Sequence, residues 1–525
     1  MGYPILSYLI FFPLIGVVLL LFLDRDKEKL MKGVTFLVTA IEFIISLPLV
    51  FNFNAEVAGM QFTEYIDWIP NLGIAYRVGL DGISLWLVLL TTFLSVIAVL
   101  ACWEDIRLHV KEFLICLLLL ETGMVGVFVA LDVFLFYVFW EVMLVPMYFM
   151  IGVWGNPARR IYAAIKFVLF TMVGSLLMLV AILYIYSYHH GVTGEYTFDL
   201  MRWYGMTLPH SVQLWLFLAF GLAFAIKVPM FPFHTWLPDA HTEAPTVGSV
   251  ILAAVLLKMG AYGFLRFNFP LFPEASVDFV PVISILAIIG IIYGALVAMV
   301  QADVKRLVAF SSVSHLGFVM LGIFTFNLQG IEGGIIQMIN HGLSTGALFL
   351  IVGMIYERRH TRMIAEFGGL SKVMPVYATL FMIVTLSSIG LPGLNGFVGE
   401  FLILLGTFRT NVIYAVFAAT GVVLAAVYML WMFQRVMFGE VTNPKNKNLP
   451  DLSKRELLVL VPIVIMIIWI GIYPKPFLKP MEATINGLIK KVEQRVEFSK
   501  SVDKNNVNIE HSPVIGNRKE HGRVG

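Results

Sequence analysis

AFAIKVPMFPFHTWLPDAHTEAPT, residues 223–246, decides how this chain folds. An apolar helix runs into it from about residue 211 and carries Lys227 at its end. Pro229, Pro232 and Pro238 follow, and proline removes a backbone donor while clashing with the preceding turn, so the helix must break. Lipid tolerates broken backbone only where it faces protein or a wet cavity. A lysine at that depth costs about 2.5–3.5 kcal/mol on insertion scales. Packing alone does not account for a charge placed beside a break, and the stretch reads as a proton-carrying site that the other segments surround.

The rest of the chain is membrane-spanning. Of 525 residues, 59% are hydrophobic and only 13% charged, with mean hydropathy +0.86. A soluble domain carries about 25% charged residues. The apolar residues gather in runs of roughly 20, the length that crosses the hydrocarbon as helix. The expected class is all-α and polytopic, with about 14 spans at 3–23, 32–52, 81–102, 112–130, 132–151, 164–187, 211–230, 247–266, 280–300, 305–326, 330–356, 373–406, 411–434 and 455–473. The N-terminus has no charged n-region and no small-residue cleavage site, so the first span reads as retained. An amphipathic stretch at 476–498 and a polar, disordered tail are expected after the last span. A net charge of +2 gives no surface for nucleic acid. Cys102 and Cys116 are too few and too isolated for an iron–sulfur or zinc site and read as apolar fillers.

Loop charges give an orientation. Nineteen lysines and arginines fall in one set of loops, among them Arg25, Arg159, Lys305 and Arg358, and four (Arg77, Arg202, Arg266, Arg409) in the other. The positive-inside rule then places both termini outside. The segment 53–80, poor in basic residues, reads as exposed on that outer side.

A second interrupted span reads SSIGLPGLNGFVGEFL, residues 387–402, with glycines that weaken helix and Glu400 just beyond them. The two interrupted spans are the seventh and twelfth. An odd separation makes them cross in opposite directions, the arrangement of inverted transporter repeats with sites near the midplane. The expected organisation is helices 1–3 over 1–110, a five-helix repeat over 111–268, its inverted counterpart over 269–436, helix 14 over 437–475, and the amphipathic stretch with tail over 476–525.

Six ionisable residues fall near span centres: Glu141, Lys227, Lys258, His315, His341 and Glu400. One such residue is as well explained by a structural ion pair; six at one depth point to a proton relay. Burial and neighbouring charge set lysine and carboxylate against one another, and histidine titrates near neutrality. If Glu141 faces Lys227, a small movement of the carboxylate switches the lysine between holding and releasing a proton. Lys258 and the histidines then pass it on. The hydroxyls Ser311, Ser312, Ser314, Ser344 and Thr345 either hold water along that path or back-bond to their own helices. Glu121 and Lys166 are secondary candidates, Lys166 equally suited to reaching the headgroups. His234 and His241, with Asp239 between them, flank the bend and read as cavity lining rather than metal ligands. The glycines at 390, 393 and 396 follow no strand and form no nucleotide fingerprint.

WEVMLVPMYFMIG (140–152), the stretch from Lys227 to Gly263, LVAFSSVSHLGFV (307–319) and GLPGLNGFVGEF (390–401) resemble the antiporter-like, proton-pumping subunits of respiratory complex I, over almost the whole chain. Within that superfamily the similarity is greatest to the subunit M group of NADH–quinone oxidoreductase. The resemblance implies fourteen transmembrane helices in inverted five-helix repeats and a place among the distal pumping units of the membrane arm, beside the antiporter-like subunits L and N. It implies no cofactor and no redox site in this chain, with FMN and iron–sulfur clusters in partner subunits, and a prokaryotic inner (plasma) membrane. It also implies roles: Glu141 as the helix-five glutamate, Lys227 as its broken-helix partner, Lys258 as the central lysine, and Glu400 as the helix-twelve residue, which is usually lysine in subunit L. His315 and His341 fall on connecting polar positions. Subunit L carries a long lateral helix after its last span, and the fifty residues here are too few for one. Cation/proton antiporter subunits and membrane-bound hydrogenases of the same superfamily are the alternatives, along with a non-pumping scaffold, which has no use for midplane lysines.

Overall fold

The computed structural model describes residues 4–510. Helices α1 (Ile5–Phe22), α2 (Glu28–Asn52), α3 (Gly82–Asp105), α4 (Val110–Val129), α5 (Val133–Trp154), α6 (Arg160–Thr193) and α7 (His210–Lys227) precede the bend. A short helix, α8 (Trp236–Glu243), leads out of it. Then come α9 (Thr246–Leu271), α10 (Val280–Met299), α11 (Val304–Ile323) and α12 (Leu328–Arg359). The second interrupted span consists of α13 (Pro375–Ser388) and α14 (Asn395–Thr410), followed by α15 (Val412–Met437), α16 (Lys454–Ile472) and α17 (Lys475–Glu510). Thirteen of these elements are long and apolar enough to cross a membrane.

Sequence pattern explains which helices lie inside. The most hydrophobic windows of α9 and α12 are buried on every side, and α11 nearly so, although these are not the most apolar helices. They carry Lys258, His315, His341, Gln337 and Asn340, which lipid would reject and protein neighbours accept. The greasier α1, α2, α6 and α15 bury only a third or so of theirs and turn residues such as Leu37, Ile44, Leu169 and Val423 outward. Polarity, rather than hydrophobicity, selects the centre of this bundle.

Both interruptions occur where the prolines and glycines place them. At the first, the Ile226 carbonyl freed by the break accepts from Trp236 Nε1 at 2.9 Å, and Met230 N reaches back to the Ala225 carbonyl at 2.8 Å. At the second, Gly390 and Gly393 take φ of +74° and +93°, which only glycine adopts freely. A third irregularity lies in α5, which divides at Met143 into Val133–Val142 and Leu144–Trp154. Pro146 cannot donate to the Val142 carbonyl, so Glu141 sits at the end of a half-helix.

The loop 53–80 holds a feature its composition hid. Strands β1 (Gln61–Ile69) and β2 (Ile74–Leu80) pair antiparallel, with Tyr65 opposite Arg77 and Ile66 opposite Tyr76. Gly73 closes the turn at φ +63°. Glu64 accepts from the backbone of Leu6 at 2.7 Å and Ser7 at 3.1 Å, placing its charge on the positive end of α1. The amphipathic stretch expected at 476–498 is the helix α17, which starts at 475 and continues to Glu510. It packs on the bundle, with Phe477 4.8 Å from Trp86 between ring centres and Thr484 Oγ1 accepting from Gly82 N at 3.2 Å. The expected disordered tail beyond 510 lies outside the described residues.

One buried ion pair ties the start of α3 to α9. Arg266 and Asp81 meet at 2.7 Å with both side chains almost wholly enclosed, and Asp81 also caps α3 at Ile83 N and Ser84 N. Arg266→Met strands that carboxylate and is expected to destabilise the chain by about 3–5 kcal/mol. The double variant with Asp81→Asn should recover part of the loss in a thermal unfolding series in detergent.

Candidate functional site

Four of the six residues singled out by position form two hydrogen-bonded pairs, Lys258–His341 and His315–Glu400, whose histidine rings stand against one another. Lys258 follows a widened π-helical turn, Leu252–Leu256, a feature frequent at functional sites. Its ammonium donates to the Ala253 carbonyl within that turn and lies 2.6 Å from His341 Nδ1 on α12. The His341 and His315 rings stand edge to face with centres 6.0 Å apart. His315 Nδ1 on α11 is 2.9 Å from Glu400 Oε1 on α14. All four side chains are buried. Among the described residues, the second nitrogen of each histidine, Nε2, has no hydrogen-bond partner, and neither has Glu400 Oε2.

The second break supports the Glu400 end. Gln337 donates to Glu400 Oε1 at 3.2 Å. Asn395, the first residue of α14, accepts from Ser387 Oγ at 2.5 Å and from Gly396 N at 2.9 Å, while its carbonyl accepts from Asn340 Nδ2 at 2.7 Å. Ser344 and Ser387 hydroxyls meet at 2.6 Å. A cavity of about 10 Å3 lies between them, lined by both histidines, Gln337, Asn340, Ser344 and Ser387, and has room for about one water. Of the five hydroxyls considered as water holders, Ser344 and Thr345 line this space. Ser311, Ser312 and Ser314 bond backbone carbonyls, those of Val308 and Ile291.

The remaining two residues stand apart from those four. Lys227 is buried at the end of α7, its ammonium 5.0 Å from the centre of the Trp140 ring. Among the described residues it forms no direct ion pair with Glu141, although that carboxylate is the charge that acts on it. Glu141 is half-buried, and its Oε1 is enclosed without a partner.

The secondary candidates separate clearly. Lys166 pairs with Asp239 at 2.7 Å and donates to the Thr235 carbonyl at 2.9 Å, so it braces the bend rather than reaching for headgroups. Asp239 is thereby engaged by Lys166 and, at 3.8 Å, Arg306. His234 stacks on Phe231, and His241 on Phe349 with ring centres 4.7 Å apart. Among the described residues both His241 nitrogens lack partners, and no cluster of His, Cys, Asp and Glu forms a metal site. Glu121 is fully buried and faces Glu42 of α2, which sequence reading passed over.

A larger cavity of about 510 Å3 opens at the end where the basic loops gather, with Asp105, Arg107, His109, Glu243, Lys305 and Arg362 on its wall. Lys305 donates to the Ala244 carbonyl at 2.5 Å and Arg362 to the Thr242 carbonyl at 2.6 Å, which fixes the exit of α8 two residues from His241. Burial pushes the Glu243 carboxyl above its usual range, and Arg362, Lys305 and Arg159 pull against that shift.

With this geometry in place, a sequence model of the family described as "NADH:quinone oxidoreductase/Mrp antiporter, TM" matches residues 130–426. NADH-quinone oxidoreductase subunit M of Rickettsia prowazekii is 46% identical over 491 residues, covering 93% of this chain and 99% of that protein. The chain belongs to this family. The same-named subunit of Rhodobacter capsulatus is 47% identical over 484 residues, covering 90% and 93% of the two chains. Among solved structures, a chain of respiratory complex I from Thermus thermophilus superposes with a TM-score of 0.84 at 32% identity, covering 93% of this chain and 99% of that one. As a family member, the chain is a multi-pass helical membrane protein of the antiporter-like type.

Gly390 offers a test of the Glu400 position. A Cβ there meets Glu400 Oε2 at 2.9 Å, whereas one on Gly393 meets nothing within 4 Å. Both alanine variants incur the left-handed backbone penalty of about 1–2 kcal/mol. Gly390→Ala alone is expected to displace the carboxylate and lower proton transport, measured against Gly393→Ala in the same vesicles.

Proposed function

We propose that this chain is a proton-translocating membrane-arm subunit of an NADH–quinone oxidoreductase, driven by electron transfer to quinone elsewhere in the assembly. The observation that carries the reading is the buried line Lys258, His341, His315, Glu400. An isolated buried lysine or carboxylate needs a partner for stability, and one partner suffices. A line of four groups through two histidines, each with one nitrogen engaged and one free, exceeds that need. Each imidazole takes a proton on one nitrogen and releases it from the other. Lys258 hands its proton to His341 Nδ1. His341 releases one from Nε2 through the small cavity to His315 Nε2, and His315 delivers one from Nδ1 to Glu400 Oε1. The donor left behind is recharged from the 510 Å3 cavity by way of Glu243 and His241.

Glu141 and Lys227 act as the switch in this scheme. Their separation here corresponds to the dissociated state, in which the lysine rests on Trp140; closing the pair draws positive charge toward α5 and away from Lys258. The two broken helices belong to inverted five-helix repeats, α4–α9 and α10–α15, that meet at the line. Partner subunits L and N flank the chain, the electron-carrying FMN and iron–sulfur clusters reside in other subunits, and no redox step occurs in this one. The membrane is a prokaryotic plasma membrane, with both termini outside and the 510 Å3 cavity facing in. The near-full-length identity to proteins named as oxidoreductase subunits supports this reading over a cation/proton antiporter.

Lys227→Ala and Lys258→Ala in the assembled complex, reconstituted in vesicles, are expected to lower the proton-to-electron ratio while NADH oxidation continues. A normal ratio in Lys258→Ala refutes the relay, and a normal ratio in Lys227→Ala refutes the switch. Proton movement that requires a sodium gradient and ignores NADH identifies an antiporter instead.

A further inference from the structure

The buried face of α2 is polar where a membrane helix is ordinarily apolar. Lys32, Thr35, Thr39, Glu42 and Ser46 recur at spacings of three and four, one stripe of a helix, and all are enclosed. The opposite face, with Leu37, Ile44 and Phe51, is exposed. Ser46 Oγ meets Thr92 Oγ1 of α3 at 3.0 Å and sets the register of the two antiparallel helices. One turn back along α2 is Glu42, and the matching turn forward along α3 is Ser95. Glu121 of α4 completes the group, facing both Glu42 and Ser95.

Glu42 and Glu121 are each 0% exposed and lie near the middles of their helices. Among the described residues, none of their four carboxylate oxygens has a hydrogen-bond partner, nor has the buried Ser95 hydroxyl beside them. Among the described residues, no lysine or arginine hydrogen-bonds to them. Helix α1 carries no charge, and Lys32, the nearest cation on α2, lies about 15 Å away along the helix axis and donates to the carbonyls of Trp103 and Ile106. Glu104 and Asp105 of α3, and Lys111 and Glu112 of α4, sit at that same end. Glu141 on α5 and Lys258 on α9 belong to the groups described above and form no hydrogen bond to the pair.

Two adjacent carboxylates in a dry, low-dielectric setting cannot both remain ionised. We propose that Glu42 and Glu121 form a second proton-binding site: the two carboxyls share one proton at mid-membrane, and it exchanges with water along the α2 face that begins at Lys32. The proton forms an O–H bond to one carboxyl and a hydrogen bond to the other, with Ser95 donating to the remaining oxygen. Exchange with water replaces this proton by another along the same route, so the pair holds one proton throughout. The side chain of Leu90 on α3 faces Gly342, next to His341, so α3 separates this site from the relay while keeping it close.

Infrared spectroscopy of the full chain in lipid vesicles tests the site without electron transfer or partner subunits. The protonated-carboxyl C=O band is expected to lose intensity in the double variant Glu42→Gln/Glu121→Gln. In each single variant the surviving carboxyl has a changed partner, so the band should move. Transfer to D2O should shift it in the wild type. Ser95→Ala, which leaves both acids in place, should move the band by removing one donor, and it provides the readout if the double variant does not fold. An unchanged band in the double variant, or in both single variants and Ser95→Ala, overturns the shared proton. A band indifferent to D2O overturns the exchange route.

Discussion

The Lys258–His341 contact is the constraint around which the bundle is arranged. Two groups that can each carry a positive charge stand 2.6 Å apart in an enclosed part of the chain. Both cannot be charged there at once, because like charges in low dielectric repel far more strongly than in water. The contact therefore holds only if one of them is neutral. The burial of α9 and α12 on every side follows from it, since any lipid or bulk water at this contact would relax the exclusion.

The breaks serve that constraint. An unbroken α14 would present Glu400 from a helix with every carbonyl already engaged. Here the gap at residues 389–394 lets Asn395 tie Ser387, Asn340 and Ser344 into the same polar patch, and Gly390 leaves room against the carboxylate. At the first break, Trp236 satisfies the Ile226 carbonyl and leaves the Lys227 ammonium against an aromatic face. Cation–π attraction of about 1–2 kcal/mol when desolvated is weaker than a buried ion pair, so it holds the lysine without locking it. The π turns in α9 act similarly: a widened turn offers the Ala253 carbonyl to the Lys258 side chain.

The sequence carried the class and the two large breaks, because proline, glycine and long apolar runs are local signals. It did not carry the pairing. Spacing along one helix says which residues share a face, but not which neighbour that face meets, so the Lys258–His341 and His315–Glu400 contacts could not be read from it. The break inside α5 was concealed because Pro146 sits within an otherwise continuous apolar run. The hairpin, with strands of nine and seven residues, was concealed within a segment that read only as an outer loop between spans.

Glu42 shows a different limit. A single acid in an apolar span looks like an isolated exception, whereas the three-four spacing of Lys32, Thr35, Thr39, Glu42 and Ser46 marks a face. Each of these residues is individually tolerable, since threonine and serine bond back to their own helix, as Thr35, Thr39 and Ser46 do here. Glu42 cannot do so, because a carboxylate has no donor for its own carbonyls unless it is protonated. A stripe that includes it therefore holds one buried group that its own helix cannot satisfy. Burial without a partner is what sets Glu42 apart from the hydroxyls along the same stripe.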